Sequence, residues 1–415
     1  MNFTEMEGFK YVEMGACAAK GFSANGLRCG INDTPGKNDL GIVFSDREAF
    51  AAAVYTTNKV KGAPLKVTAD HLKVSGGRAR AVVMNSKNAN TCLSDGEEKA
   101  ERMCRAAASA LDIPEEQVLV ASTGVIGQPF DVTPVENSMK ELVSGLSPEN
   151  HIEAEKAVMT TDTVPKEVAV RFQVEDVTYS LGGMAKGSGM IRPDMATTLS
   201  FITTDMDVAP ELLQRALNVN VKKTYNCLSV DGDMSTNDMI VLMANGAAGG
   251  NRVDDAGSEG YKALENALYL VMEGLVKMLA RDGEGATKLI ECHVSGGVSP
   301  EQASVIAKSV ISSNLVKCAM FGEDANWGRI LCAIGYAETD VDIEKVDVDL
   351  ASDKGRIAVC RDGAGVPFSE DTAAEILSSD EILVDVELNS GKEKGRAYGC
   401  DLSYDYVKIN GDYRS

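Results

Sequence analysis

Apolar positions along this chain change period several times, and each change marks an element. Arg78–Asn85 (RARAVVMN) is a β-rich run, and Asp95–Leu111 follows with helical spacing and good helix formers. Val118–Ser122 is a second short apolar strand, ending at Thr123-Gly124. The pattern predicts helices over Thr133–Leu146 and Asn150–Met159, an alternating strand pair over Glu167–Leu181, and helices over Ala209–Val221 and Gly257–Arg281. The last of these is long, amphipathic and stops at Asp282-Gly283. From Leu289 the order becomes strand Leu289–Ser295, helix Pro300–Ser312, strands near Asp340–Leu350 and Gly355–Val359, helix Glu370–Leu377, then strands Ile382–Leu388 and Ala397–Val407. That β-α-β-β-α-β succession predicts a smaller C-terminal α+β domain with a boundary near residue 285.

The chain has 415 residues, 44% apolar and 25% charged, an ordinary globular balance with ample material for a core. Sixty-two acidic against 41 basic residues give a net charge of −21. Such a surface repels phosphate backbones and anionic lipid, which argues against nucleic-acid and membrane partners. Met1–Glu7 is acidic and lacks the apolar core of a signal peptide, and no stretch approaches the roughly 20 apolar residues of a membrane span. Ten scattered cysteines without a C-x-x-C pair fit reduced thiols better than disulfides or zinc. A cytoplasmic protein is expected.

The most informative segment is Lys186-Gly187-Ser188-Gly189-Met190-Ile191-Arg192-Pro193-Asp194-Met195-Ala196-Thr197-Thr198-Leu199-Ser200-Phe201. Its glycines suit a loop that bends sharply, and it runs into a β-branched strand with threonine at the junction. A threonine after a small residue is what self-cleavage needs. Its hydroxyl attacks the preceding carbonyl, the peptide bond breaks, and the new terminal amine becomes the base for its own hydroxyl. By composition alone this stretch reads as a turn.

Lys186–Phe201, followed by Thr203-Thr204-Asp205, resembles the maturation motif of the ornithine acetyltransferases, the self-processing glutamate N-acetyltransferases of arginine biosynthesis. The family usually has Asn at the position of Asp194 and often Met at that of Thr198. The resemblance implies cleavage between Ala196 and Thr197, with Thr197 as nucleophile. It gives an α chain of residues 1–196 and a β chain of 197–415 within one layered α/β fold, like that of self-processing aminopeptidases. Ala121-Ser122-Thr123-Gly124-Val125-Ile126-Gly127 resembles the family segment whose Thr-Gly forms an oxyanion hole, here Thr123 and Gly124. Thr160–Lys166 (TTDTVPK) and Asp282–Lys288 (DGEGATK) resemble segments that place Thr163 and Glu284 on the substrate. Lys186 matches a substrate-contacting lysine, suited to an α-carboxylate. The chain end, Asp401–Ser415, resembles a tail that folds into the active site, with Asn410 and Ser415 at binding positions.

Further likeness runs through Lys20-Gly21-Phe22, Asn85-Ser86 with Asn88-Ala89-Asn90, Ser229–Asp233 with Ser235–Asp238, and Asn326–Arg329, and so covers essentially the whole chain. Lys87 stands where the family commonly has glycine. The implied reaction carries acetyl from N-acetylornithine to glutamate through an acetyl-threonine, without metal or prosthetic group, in an assembly of two α and two β chains. Acetyl-CoA as a second donor stays open on these grounds, as does an aminopeptidase or amidase of the same fold, which would use serine and release its product to water.

Other chemistry finds little support. Gly182–Ser188 lacks the G-K-[ST] ending of a phosphate loop. Asp231–Ser235 opens like a calcium loop, but Thr236 and Leu242 occupy its sixth and twelfth positions. The three histidines, His71, His151 and His293, sit in no catalytic motif, and His293 reads as a packed strand residue. An acidic binding protein with a structural Gly-rich loop, or a nucleotide enzyme stabilised by ATP, remains a formal rival.

Overall fold

A computed structural model of the chain describes residues 2–192 and 198–413. Two mixed sheets organise it. The first is nine-stranded, and its long strand Leu40–Tyr55 is the key to its shape. One end of this strand pairs with Arg78–Asn85, as Leu40 opposite Asn85, and the register slips between Phe44 and Ala49. Its other end pairs with Met239–Ala244, as Tyr55 opposite Met239.

At the irregularity the sheet doubles back, so its two halves face each other. Alternation along the strands records this. Val82, Met84, Leu119 and Ala121 of one half share a buried cluster with Leu199, Phe201, Met239 and Val241 of the other. Their neighbours of opposite parity point outward. Ala81, Val83, Val118 and Val120 meet the helices Gly96–Leu111 and Thr133–Ser144. Ile202, Ile240 and Leu242 meet Pro210–Lys223 and Glu259–Arg281. The result is a helix–sheet–sheet–helix stack, the layered α/β fold expected from sequence.

The helix Glu259–Arg281 is set at its start by Ser258, whose hydroxyl accepts the Tyr261 N–H at 3.1 Å. It packs on both sheets, so it is buried nearly all round and joins the two units. The second sheet has seven strands, centred on Leu289–Gly297 between Glu381–Glu387 and Glu393–Cys400. It also takes in Leu228–Ser229, which pairs with Tyr398-Gly399.

Several expectations need correction. The strand expected at Ala397–Val407 is Glu393–Cys400, and Ser403 then caps a helix over Tyr404–Asp412. The strand near Asp340–Leu350 begins only at Asp347. The helices Asn314–Phe321 and Trp327–Gly335 were not anticipated, being too short for a clear period. His293 is partly exposed and its Nε2 lies 3.0 Å from Glu291. All ten cysteines are free thiols, and among the described residues no single helix is long and apolar enough to cross a membrane.

Phe201 lies fully buried between the two half-sheets. Phe201→Ala is expected to cost about 3–5 kcal/mol by cavity formation. Val74→Ala at an exposed helix end should stay within about 0.5 kcal/mol. Denaturant midpoints of the two variants test this.

Candidate active site

Because the sheet folds over, strand ends far apart in sequence meet at its open edge. Asn85 and Ser122 end neighbouring parallel strands. Lys186 ends Val177–Lys186 opposite Leu199, and Leu199 lies beside Met239. Between these ends is a cavity of about 280 Å³, lined among others by Thr123, Gly124, Thr160, Lys186, Glu284 and Asn410. Five of the residues singled out from sequence therefore share one hollow.

The Thr123-Gly124 turn is fixed by side chains behind it. Ser122 donates its hydroxyl to Asn85 Oδ1 at 2.7 Å, and Asn237 Nδ2 donates to the carbonyls of Ser122 and Ala89 at 2.9 and 2.7 Å. The Thr123 N–H is spent on the Asn85 carbonyl (3.0 Å) and the Val125 N–H on that of Lys87 (3.0 Å). Among the described residues the Gly124 N–H between them and the Thr123 hydroxyl have no hydrogen-bond partner, which leaves two donors free beside the cavity. Gly124 has φ +130°, and a Cβ there would sit 2.2 Å from the Lys87 carbonyl carbon. No other residue fits this turn without moving the backbone.

Lys186 is only 6% exposed, and among the described residues its ammonium makes no hydrogen bond or ion pair. Glu284 enters from the loop after the long helix, its N–H donating to the Ser188 carbonyl at 2.8 Å. Its carboxylate accepts from Asn410 Nδ2 at 2.8 Å. Gly189 makes room for it, since a Cβ there would meet the carboxylate carbon at 2.4 Å.

Beneath this lies a buried ionic cluster. The Lys166 ammonium, fully enclosed, donates to Asp162 at 2.8 Å and Asp282 at 2.6 Å. Asp162 also accepts the Gly187 N–H at 2.7 Å, and the Asp282 carbonyl accepts the Ser188 hydroxyl at 2.7 Å. Burial alone would raise the Asp162 carboxyl, but Lys186 and Lys166 outweigh it and hold it at about 2.

Thr163 is not brought into the main cavity. It lines a neighbouring one beneath the C-terminal helix, and its N–H (3.0 Å) and hydroxyl both bond to Asp282. Thr160 and Thr161 of the same segment line the main cavity instead. Ala196, Thr197 and Ser415 lie outside the described residues, as does Asp194. Asn237, Asp162, Lys166 and Asp282 had no role assigned from sequence. Their polar character was visible, but only the fold shows that they are buried together.

Two donors that have no hydrogen-bond partner among the described residues, at a strand-ending glycine beside a cavity lined by Lys186 and Glu284, suit acyl chemistry on a zwitterionic ligand. The ArgJ family model matches residues 23–415, and the chain belongs to that family. It is 47% identical over 395 residues to the arginine biosynthesis bifunctional protein ArgJ 1 of Clostridium acetobutylicum, covering 95% of this chain and 96% of the relative. It is 43% identical to the glutamate N-acetyltransferase of Methanocaldococcus jannaschii, covering 97% and 99%. A crystal structure of ArgJ from Bacillus halodurans, 42% identical, matches 51% of this chain and 98% of that chain with a TM-score of 0.49.

Removing Lys166 strands two buried carboxylates, so Lys166→Met is expected to cost about 3–5 kcal/mol. The Asp162 pKa is depressed on folding, so its stabilisation is complete above the ordinary carboxyl value near pH 4 and lost as pH falls toward 2. An Asp162→Asn variant should show a flatter loss of stability over that window, read by denaturation at a series of pH values.

Proposed function

We propose that this chain is a glutamate N-acetyltransferase of arginine biosynthesis, which cleaves itself between Ala196 and Thr197 and works through an acetyl ester on Thr197. In maturation the Thr197 hydroxyl attacks the Ala196 carbonyl, the peptide bond gives way to an ester, and water releases the Ala196 carboxylate and a free Thr197 amine. In catalysis that amine takes the hydroxyl proton while the oxygen attacks the acetyl carbon of N-acetylornithine. The oxyanion that forms is met by the Gly124 N–H and the Thr123 hydroxyl. The C–N bond breaks, ornithine leaves with the proton, and the acetyl group stays on Thr197. The amine of glutamate then attacks the ester, giving N-acetylglutamate and the free hydroxyl.

The observation that carries this reading is the enclosed Lys186 ammonium, which makes no hydrogen bond among the described residues, in a cavity that also presents Glu284. An α-amino acid with a basic side chain complements the pair, its carboxylate on Lys186 and its ammonium toward Glu284. Asn410 steadies Glu284 from the chain's last helix. Ser415 and Thr163 complete the proposed binding set, Thr163 acting through Asp282.

Every proton and bond in the acetyl transfer is supplied by Thr197 and the two substrates, and maturation adds only water, so the scheme calls for no cofactor. The relatives' description as bifunctional supports amino-acid N-acetyltransferase activity as well, with acetyl-CoA as a second donor substrate. A cytoplasmic enzyme of two α and two β chains is inferred from family resemblance.

Purified protein is expected to contain a fragment beginning at Thr197, and Thr197→Ala a single uncut chain without acetyl transfer. Glu284→Gln should raise KM for N-acetylornithine by about 10- to 100-fold, the loss of one charge-assisted contact of 1.5–3 kcal/mol. Unchanged KM in that variant, or transfer by the uncut Thr197→Ala chain, contradicts the assignment.

A further inference from the structure

One half-buried carboxylate grips the loop ahead of the proposed cleavage site and has no part in the scheme above. Asp231 accepts the Met190 N–H on Oδ2 at 2.7 Å, and on Oδ1 the Ile191 N–H at 2.9 Å and the Asp233 N–H at 3.1 Å. The grip is returned by the backbone. The Ile191 carbonyl accepts the Val230 N–H at 2.9 Å, with those of Gly232 and Asp231 at 3.3 and 3.4 Å. The Ile191 side chain is fully buried beneath this clasp.

Met190 has φ +54°, left-handed geometry that an ordinary side chain resists. Such a residue persists only where its surroundings over-determine it, and here two charge-assisted bonds to successive N–H groups do so. The strain is placed where the loop passes the cavity, since Gly189 and Met190 both line it. Two other anchors hold the same loop further back, Asp162 at Gly187 and Asp282 at Ser188. Of the three, Asp231 holds the residues nearest in sequence to the bond to be cut, and it comes from the half of the chain that follows that bond. Tyr406 of the last helix stands close to it, and burial followed by the Asp231, Asp233 and Glu284 carboxylates pushes that phenol up.

We propose that Asp231 is a positioning residue for self-cleavage, fixing the exit of the Gly189–Arg192 loop from the site and so setting the rate at which the Ala196–Thr197 bond is broken. This rests on Thr197 being the self-cleaving nucleophile. A side chain that merely adds stability would lower the unfolding temperature without changing cleavage in molecules that are folded. A positioning group changes the cleavage rate itself, because small misplacements of reacting atoms are costly.

The test follows cleavage of freshly synthesised full-length precursor by gel and mass, with unfolding temperature measured in parallel. The chains compared are wild type, Asp231→Asn and Asp231→Ala. The expected result is first-order cleavage slowed on the order of 100-fold in folded Asp231→Ala. Asp231→Asn keeps one acceptor oxygen and should be intermediate. Asn is nearly isosteric, so this variant decides the matter if the Ala chain fails to fold. Folded Asp231→Asn cleaving at the wild-type rate overturns the proposal while leaving the Thr197 reading intact. A wild-type chain that never cleaves overturns both.

Discussion

The fully enclosed Lys166 ammonium is the interaction on which the rest of the site depends. It holds Asp162 and Asp282, which come from opposite sides of the proposed cleavage point, and each residue in turn fixes part of the Lys186–Gly189 loop, Asp162 through its carboxylate and Asp282 through its backbone carbonyl. Buried charges of this kind are costly unless they are fully paired, and a partly dismantled cluster is worse than none. Its geometry is therefore held within narrow limits. Through Asp282, Ser188 and the Glu284 N–H, those limits reach the carboxylate that faces the ligand.

The doubled sheet does the remaining assembly. Folding the strand Leu40–Tyr55 over at its irregularity brings the ends of Arg78–Asn85 and Val118–Ser122 against the start of Met239–Ala244. Asn237 then bridges the layers with bonds to Ala89 and Ser122, and so sets the turn in which the Gly124 N–H and Thr123 hydroxyl have no partner among the described residues. Rigid strand ends suit this work, since donors that are already aimed need no reorganisation when charge develops. The clasp at Asp231 extends the same logic to the loop itself.

Much of this was legible in the sequence, for identifiable reasons. Strongly periodic segments such as Gly96–Leu111, Val118–Ser122 and Glu259–Arg281 fall close to where the pattern puts them. The long strand Leu40–Tyr55 was not read, because it changes its buried face at the bend and carries no single alternation. Beyond Cys400 the apolar spacing suggested strand, whereas a serine cap and the lack of a sheet partner make Tyr404–Asp412 a helix. In the site, Thr123, Gly124, Lys186, Glu284 and Asn410 converge on one cavity. Thr163 could be assigned to a segment but not to a side of it. The strand start that follows puts its hydroxyl on Asp282 and leaves Thr160 and Thr161 to the cavity. The roles of Asn237 and Asp231, and the Asp282 half of the Lys166 cluster, depend on partners more than 30 residues away, which no local pattern contains.

The central claim is that acetyl is carried on Thr197 between donor and acceptor. Its most direct test is the mass of the purified protein after brief exposure to N-acetylornithine without glutamate. One acetyl group on the fragment that begins at Thr197, mapped to that residue and discharged on adding glutamate, is the predicted result. Ready turnover of N-acetylornithine and glutamate with no acetyl on that fragment would contradict the account, because transfer would then be direct.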